Sequence, residues 1–363
     1  MKNLLFILLI TQLSACQNKQ TQQQNMETTQ TEKFAWNPTF TCPDGYPVEV
    51  YSGGFAEPYQ SLHLGVGTAG WGETGGSMSE SKQIPQGLQV TWLAFAEDCF
   101  YTIKCEIDHK KIEQLFQEGF EMRGASGKLK HEDYYYIIAG FAPGGVVVVW
   151  MAGAAKTTEV GRYQGEKIEI KEPPGLDSHE RLYFDAVYRK GVMENEKIVP
   201  LEVQQTNKNK PIPYGLWDSY RVKYVWKPTF VIQNDGKMNE RVTLDLLNGE
   251  RYSIRDFNFP IRTDYKDNYN LKIEYTKQAI PKSVGFSWYD KEGQLYSGKV
   301  EFDENEIFEA FTILYKDNKD TEAELEFKVN MTNTFITVKL KGNGKEIAIT
   351  KSQQKVFESD NKW

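Results

Sequence analysis

The chain has 363 residues, a formal net charge of −7 and 13% aromatic residues. An acidic chain without a basic block excludes the usual electrostatics of nucleic-acid binding and charge-driven adhesion to anionic lipid. The length allows two domains of ordinary size, and the Tyr and Phe content favours strands.

In chain order, Lys2 supplies a positive start and Leu4 to Ile10 is an unbroken apolar run too short to span a bilayer. The segment closes Leu13-Ser14-Ala15-Cys16. This resembles the lipobox of bacterial lipoproteins, which implies cleavage before Cys16, acylation of its sulfur and new amine, and a membrane tether at that residue. Residues 1–15 are read as a signal peptide and 16–33 as the lipidated cysteine and a disordered stalk, because Gln17 to Lys33 is polar and carries too little apolar surface to order itself. The resemblance implies the outer membrane, since Gln17 stands where inner-membrane lipoproteins carry Asp. With no acidic run after Cys16, a body facing the periplasm is favoured over one at the cell surface.

Residues 34–153 read as a first α+β unit. Leu88 to Phe95 alternates as a strand, Ala96-Glu97-Asp98 turns, and Phe100 to Ile107 returns as the second strand of a hairpin. Asp108 fits the N-cap of a helix with Ile112, Leu115 and Phe116 on one face and Gly119 at its end. Strands Tyr134 to Phe141 and Val146 to Met151 follow, joined by Ala142-Pro143-Gly144-Gly145. The run Val146 to Trp150 has no polar alternation, which predicts a central strand covered on both faces. Residues 154–223 form a connector with a strand at Glu159 to Gln164 and a helix opened by Asp177-Ser-His-Glu180, running to Arg189 and closed by Gly191.

Residues 224–363 repeat the first layout. Trp36-Asn-Pro-Thr-Phe40 recurs as Trp226-Lys-Pro-Thr-Phe230, Ile84 to Trp92 as Ile280 to Trp288, Tyr101 to Asp108 as Tyr296 to Asp303, and Val146 to Gly153 as Phe335 to Gly342. Four matches in one order predict an internal duplication. The expected fold is α+β: two tandem repeats, each a mainly antiparallel sheet with a helix packed on one face.

The order Tyr46-Pro-Val-Glu-Val-Tyr51, Trp92 with Ala96-Glu97-Asp98-Cys-Phe-Tyr101, and Gly140-Phe-Ala-Pro-Gly-Gly-Val-Val-Val-Val-Trp150 followed by Glu159-Val-Gly-Arg-Tyr-Gln164 resembles an uncharacterised bacterial lipoprotein family, domain of unknown function 2931. The resemblance spans residues 36–225 and implies no activity. The second repeat departs from it, with Met331-Thr-Asn-Thr in place of Ala142-Pro-Gly-Gly and Asp290-Lys-Glu292 in place of the Glu-Asp turn.

Few residues suggest chemistry. Gly65-Val-Gly67-Thr-Ala-Gly70 matches a dinucleotide-binding pattern, but Trp71-Gly-Glu-Thr-Gly-Gly-Ser77 after it cannot open the helix that the pattern needs. A glycine-rich loop carrying Trp71 as a contact residue is the expectation. Glu97 and Asp98 are paired carboxylates able to do acid–base work or bind calcium, though neighbours on a turn point apart and a solvated turn is favoured. Pro143-Gly144-Gly145 invites a phosphate cradle, yet lacks the Lys and Ser/Thr of a P-loop and reads better as a tight turn. His63, His109, His131 and His179 have no metal-ligand spacing. Of the remaining thiols, Cys99 and Cys105 share one strand, roughly 20 Å apart when extended. That leaves either a Cys42 bridge to Cys99 or Cys105, or three free buried thiols.

These observations point to no enzyme, no cofactor and no metal. They favour an outer-membrane lipoprotein that binds a protein partner in the periplasm, one version being an immunity protein against a secreted toxin. The alternatives are a glycan- or cell-wall-binding lipoprotein using Trp71, and a hydrolase with an unrecognised site. Candidate binding residues are Trp71, Glu97, Asp98, Pro143, Gly144 and Gly145.

Overall fold

A computed structural model describes residues 33–62, 65–67, 70–74, 80–123, 129–255 and 273–362. The signal sequence, Cys16, stalk residues 17–32 and His63 lie outside the described residues, and Lys33, read as the end of the stalk, begins the first strand. Among these residues no helix is long and apolar enough to cross a membrane.

The first half runs β1 (Lys33–Thr41), β2 (Val48–Ala56), the short bridges β3 (Gln60–Ser61) and β4 (Val66–Gly67), β5 (Glu80–Gln83), β6 (Gly87–Ala94), β7 (Cys99–Glu106), helix α1 (His109–Glu118), β8 (Phe120–Arg123), β9 (Leu129–Glu132), β10 (Tyr136–Ala142), β11 (Val146–Ala152), β12 (Thr157–Gln164) and β13 (Glu166–Ile168). The alternating segments form the hairpin expected of them, in register from Gly87↔Glu106 to Ala94↔Cys99. Asp108 caps α1 by accepting from the Lys111 amide at 3.1 Å. Ile112 and Phe116 bury the apolar face of that helix, with Phe116 stacked on Phe34.

The connector holds a 3-10 turn (Glu180–Phe184) and helices α2 (Ala186–Glu194), α3 (Leu201–Asn209) and α4 (Leu216–Ser219). The single helix expected from Asp177 to Arg189 is two elements. Asp177 does accept from the His179 and Glu180 amides, each at 2.8 Å. Asp185 then adopts extended backbone (φ −82°, ψ 112°) and caps a new helix by accepting from Val187 N, so Gly191 lies inside α2 and does not close it. A second strong capping residue inside the apolar pattern sets the break.

The second half runs β14 (Tyr224–Ile232), β15 (Lys237–Leu246), β16 (Arg251–Arg255), β17 (Thr276–Gln278), β18 (Pro281–Tyr289), β19 (Gln294–Glu301), α5 (Glu304–Leu314), β20 (Ala323–Val329), β21 (Ile336–Gly342), β22 (Lys345–Ile349) and β23 (Gln353–Lys362). Asp303 caps α5 through the Glu306 amide at 2.9 Å, and Ile307 and Phe311 are buried.

The protein is β-rich with mixed sheets. β1 is parallel to β10 and antiparallel to β5. β14 is parallel to β20 and antiparallel to β17. The other strand pairs among the described residues are antiparallel, so the sheets are mainly antiparallel as expected, and these two parallel pairs are the exceptions: the chain leaves β1, builds a second sheet and a helix, and re-enters beside β1 in the same direction, which needs a long crossover. Among the described residues the strands form a ten-stranded sheet in the order β23-β19-β18-β15-β16-β12-β11-β10-β1-β5, a six-stranded sheet β13-β7-β6-β2-β3 with β4 on β2, a five-stranded sheet β17-β14-β20-β21-β22, and the β8–β9 ribbon. The ten-stranded sheet takes strands from both halves and is continuous through the pair Thr157↔Arg251 of β12 and β16.

β11 is central and buried along its whole length. Val147, Val149 and Met151 pack with Trp36, Trp92 and Phe141. Val148 and Trp150 belong to the opposite core with Trp217, Tyr220 and Trp226. Two covered faces explain why this run shows no polar alternation.

Candidate functional site

Two turns of the first half meet at one end of its paired sheets. The Phe95–Glu97 turn is left by Asp98 in left-handed backbone (φ 47°). The Pro143-Gly144-Gly145 turn has φ values of 79° and 74° at its glycines. A Cβ on Gly145 would stand 2.6 Å from the Gly165 carbonyl oxygen and 2.8 Å from the Tyr101 ring, so only glycine fits. The Glu97 carboxylate spans the gap. It accepts from the Gly144 amide at 3.2 Å, from the Tyr101 hydroxyl at 2.8 Å and from the Tyr214 hydroxyl at 3.0 Å. The Gln164 side-chain amide donates to Gly144 O at 2.8 Å. The glycine-turn amide that could hold a phosphate is thus occupied by the chain's own carboxylate. Burial, and then the Glu97 carboxylate, push the Tyr101 and Tyr214 phenols above their ordinary value, so both stay protonated donors.

Asp98 points elsewhere. It pairs with Arg189 of α2 at 2.7 Å, and Arg189 also donates from Nε to the Tyr183 carbonyl at 2.7 Å and lies over the Phe100 ring. Beneath this pair Leu93, Phe95 and Phe100 pack with Tyr183 and Val192 of the connector. Tyr183 donates to Val50 O at 3.2 Å, and Tyr188 to the buried Glu49 carboxylate at 3.0 Å. The neighbouring carboxylates therefore share no ligand, as their place on a turn predicts; Asp98 stays in water as expected of a solvated turn, whereas Glu97 is half-buried and held by internal donors. Beside them lies a cleft of about 290 Å³, lined by Tyr46 and Ala96 below and by α2 and α3 on its walls.

The glycine-rich loop does a different job. The Cys42 thiol donates to Gly67 O at 3.1 Å, and the Thr41 hydroxyl donates to Gly70 O. Trp71 is half-buried and stands perpendicular to Trp150 with ring centres 4.7 Å apart. A Cβ on Gly72 would come within 2.6 Å of the Gly249 carbonyl oxygen. This loop is seated on the turn after β15, and Trp71 offers no open platform. Trp92, Trp150 and Trp288 are fully buried core residues.

Cys42, Cys99 and Cys105 are free thiols, so the bridge considered between Cys42 and Cys99 or Cys105 is not formed. Cys99 and Cys105 face Ala94 and Leu88 at the two ends of the hairpin ladder. Burial pushes the Cys42 thiol up to about 12 and holds it protonated. Among the described residues no group of three or more His, Cys, Asp or Glu could hold a metal.

The structure thus brings Glu97, Gly144 and Gly145 together, with Pro143 buried beside them, and leaves Trp71 apart. Arg189, Tyr214 and Gln164 were not singled out from the sequence. Only Tyr214 carried a local cue, the Pro-Tyr-Gly turn before α4.

A family model described as "Protein of unknown function (DUF2931)" matches residues 17–215. That span covers the first half and most of the connector. No curated protein and no solved structure matches the chain.

Proposed function

The chain belongs to the DUF2931 family, and from that premise and the geometry above we propose that it is a lipid-anchored, non-enzymatic protein-binding module. Cys16 would hold it on the outer membrane, facing the periplasm, with residues 17–32 as the stalk. The observation that carries this reading is the connector surface, where Val187 is 80% exposed, Tyr214 62% and Leu201 47%. These three exposed side chains sit on separate elements of the connector, on α2, at the start of α3 and in the turn before α4, where a partner could cover them. The groups best suited to chemistry point the same way, since Glu97 and Asp98 are both engaged by internal donors. Immunity against a secreted toxin is the concrete version of this role.

The same proposal reads residues 34–153 and 224–363 as two copies of one unit, each with a helix on its sheets. Its support is the equivalent pairing: a parallel β1–β10 against a parallel β14–β20, and the Asp108-capped α1 against the Asp303-capped α5. Trp36 Nε1 donates to Gln83 O, and Trp226 Nε1 to Ala279 O. A glycan-binding module and a hydrolase rank below, the first because Trp71 is packed against Trp150.

The test is a photo-crosslinking amino acid placed at Val187, Leu201 or Tyr214 in the membrane-anchored protein in its own cells, with Phe357 of β23 as the control position. One stoichiometric protein captured from the connector positions alone is expected. Capture of no protein from the connector ends the reading.

A further inference from the structure

We propose that the cleft between α2 and α3 receives an acidic segment of the partner protein, with one apolar side chain on its floor and flanking carboxylates on its lysines. The inference rests on the protein-binding reading above and names the chemistry of the partner. The whole chain carries a net charge of −7, yet Lys190, Lys208 and Lys210 line this cleft with Glu194 as the one carboxylate in the lining, while Glu304 acts on Tyr46 from outside it. Lys190 lies 3.7 Å from Glu194 with both side chains largely in water, which is a weak pair. Lys208 and Lys210 have no carboxylate partner among the described residues and are exposed.

The floor is apolar and already formed. Tyr46, Met193 and Ile212 line it. Tyr46 is fixed by its hydroxyl, which donates to the Asn207 side chain at 3.3 Å, and by its ring, which stands edge-on to Trp217 at 5.2 Å. Asn207 in turn donates to the Gly45 carbonyl at 3.3 Å. A fixed ring beside three cations lowers the ordering cost of binding a peptide. The volume of about 290 Å³ suits one or two side chains. Positive charge on an acidic molecule selects for carboxylates, because a basic or neutral segment would meet the repulsive or indifferent field of the rim.

The experiment uses the full lipidated chain in detergent micelles and a fluorescein-labelled peptide of Asp and Glu around a central Leu, followed by anisotropy. Saturable binding is expected, falling steeply from about 0.05 to 0.5 M salt. Binding should weaken at least about tenfold in a Lys190→Glu, Lys208→Glu, Lys210→Glu variant and stay unchanged in a remote Lys316→Glu, Lys319→Glu variant. Circular dichroism checks that both variants fold. Equal binding to the triple variant, equal binding of a lysine-rich peptide, or binding of phosphatidylglycerol vesicles through the same lysines in place of the peptide would overturn the proposal. If the peptide fails while the Val187 or Tyr214 crosslink still captures a protein, the acidic-segment inference falls and the binding role stands. If both fail, both fall.

Discussion

Trp92 stacks on Tyr101 in the first half with ring centres 5.5 Å apart, and Trp288 stacks on Tyr296 in the second at 5.8 Å. These two ring stacks match, and the turns above them do not. In the second half Asn333, in left-handed backbone, accepts from Trp288 Nε1 at 2.9 Å. Asp290 accepts from the Glu292 and Gln294 amides of its own turn. In the first half Trp92 Nε1 has no partner among the described residues, and Glu97 reaches out of its turn to Gly144 and Tyr214. The outer faces differ likewise. Leu93, Phe95 and Phe100 are buried under the connector, whereas Tyr289 and Leu295, at the positions of Leu93 and Phe100 in β18 and β19, are only partly buried. One half satisfies its turns internally; the other spends them holding the connector. A candidate site therefore exists where local groups are committed to a distant segment, and the ring stack alone does not make one.

The largest expected effect tests whether the frames are equivalent. Trp92→Ala and Trp288→Ala should each cost about 3–5 kcal/mol, because both rings are fully buried. Urea unfolding followed by circular dichroism should stay a single transition in both, since one sheet runs through both halves. A two-step curve in either variant would break the comparison by showing that the halves melt separately.

Arg221→Ala comes next. Arg221 bonds Glu159 at 2.6 Å, Glu159 is only 12% exposed, and its second carboxylate oxygen is buried with no partner among the described residues. Removing the guanidinium leaves a mostly buried charge and should cost about 2–3 kcal/mol. The exposed pair of Lys339 with Glu346 in the second half should cost under about 0.5 kcal/mol when Lys339 is cut to Ala. Equal losses in chemical denaturation would show that burial of the Glu159 carboxylate does not raise the worth of its pair.

The turns themselves give the third contrast. Glu97→Ala strands the Gly144 amide and the Tyr101 hydroxyl and should cost about 2 kcal/mol. Glu292→Ala removes a side chain in water and should stay within about 0.5 kcal/mol. Thermal melts of the pair measure the difference directly.

The smallest effect is one of pH at the join of the two halves. Burial pushes the Glu250 carboxyl up, but the Lys223 ammonium, the Asn248 side chain and the Glu159 amide together outweigh it and hold it below its ordinary value of 4.5. A carboxyl lowered by folding contributes stability that is present above 4.5 and lost as pH falls through its folded value. Glu250→Gln should therefore be less stable than the parent at pH 7 and lose less on acidification, read as urea midpoints across that range. Parallel acid profiles would show that the network does not sense pH.

The sequence by itself determined the pieces whose cause is local. The β6–β7 hairpin follows from alternation around a short turn, α1 and α5 from Asp108 and Asp303 ahead of apolar residues at helical spacing, and the central place of β11 from its unbroken apolar run. The glycines of the Pro143-Gly144-Gly145 turn were legible for the same reason, since tight backbone demands them wherever it occurs. Tertiary structure alone decided what the pieces meet. The parallel entry of β10 beside β1, the joining of β12 to β16, the seating of Trp71 on Trp150, and the engagement of Glu97 and Asp98 by Tyr214 and Arg189 all link residues far apart in the chain. Each depends on the order in which sheets stack and on which faces remain to be covered. A residue's neighbours in sequence hold no record of that, because burial of apolar area rewards any partner that covers the face.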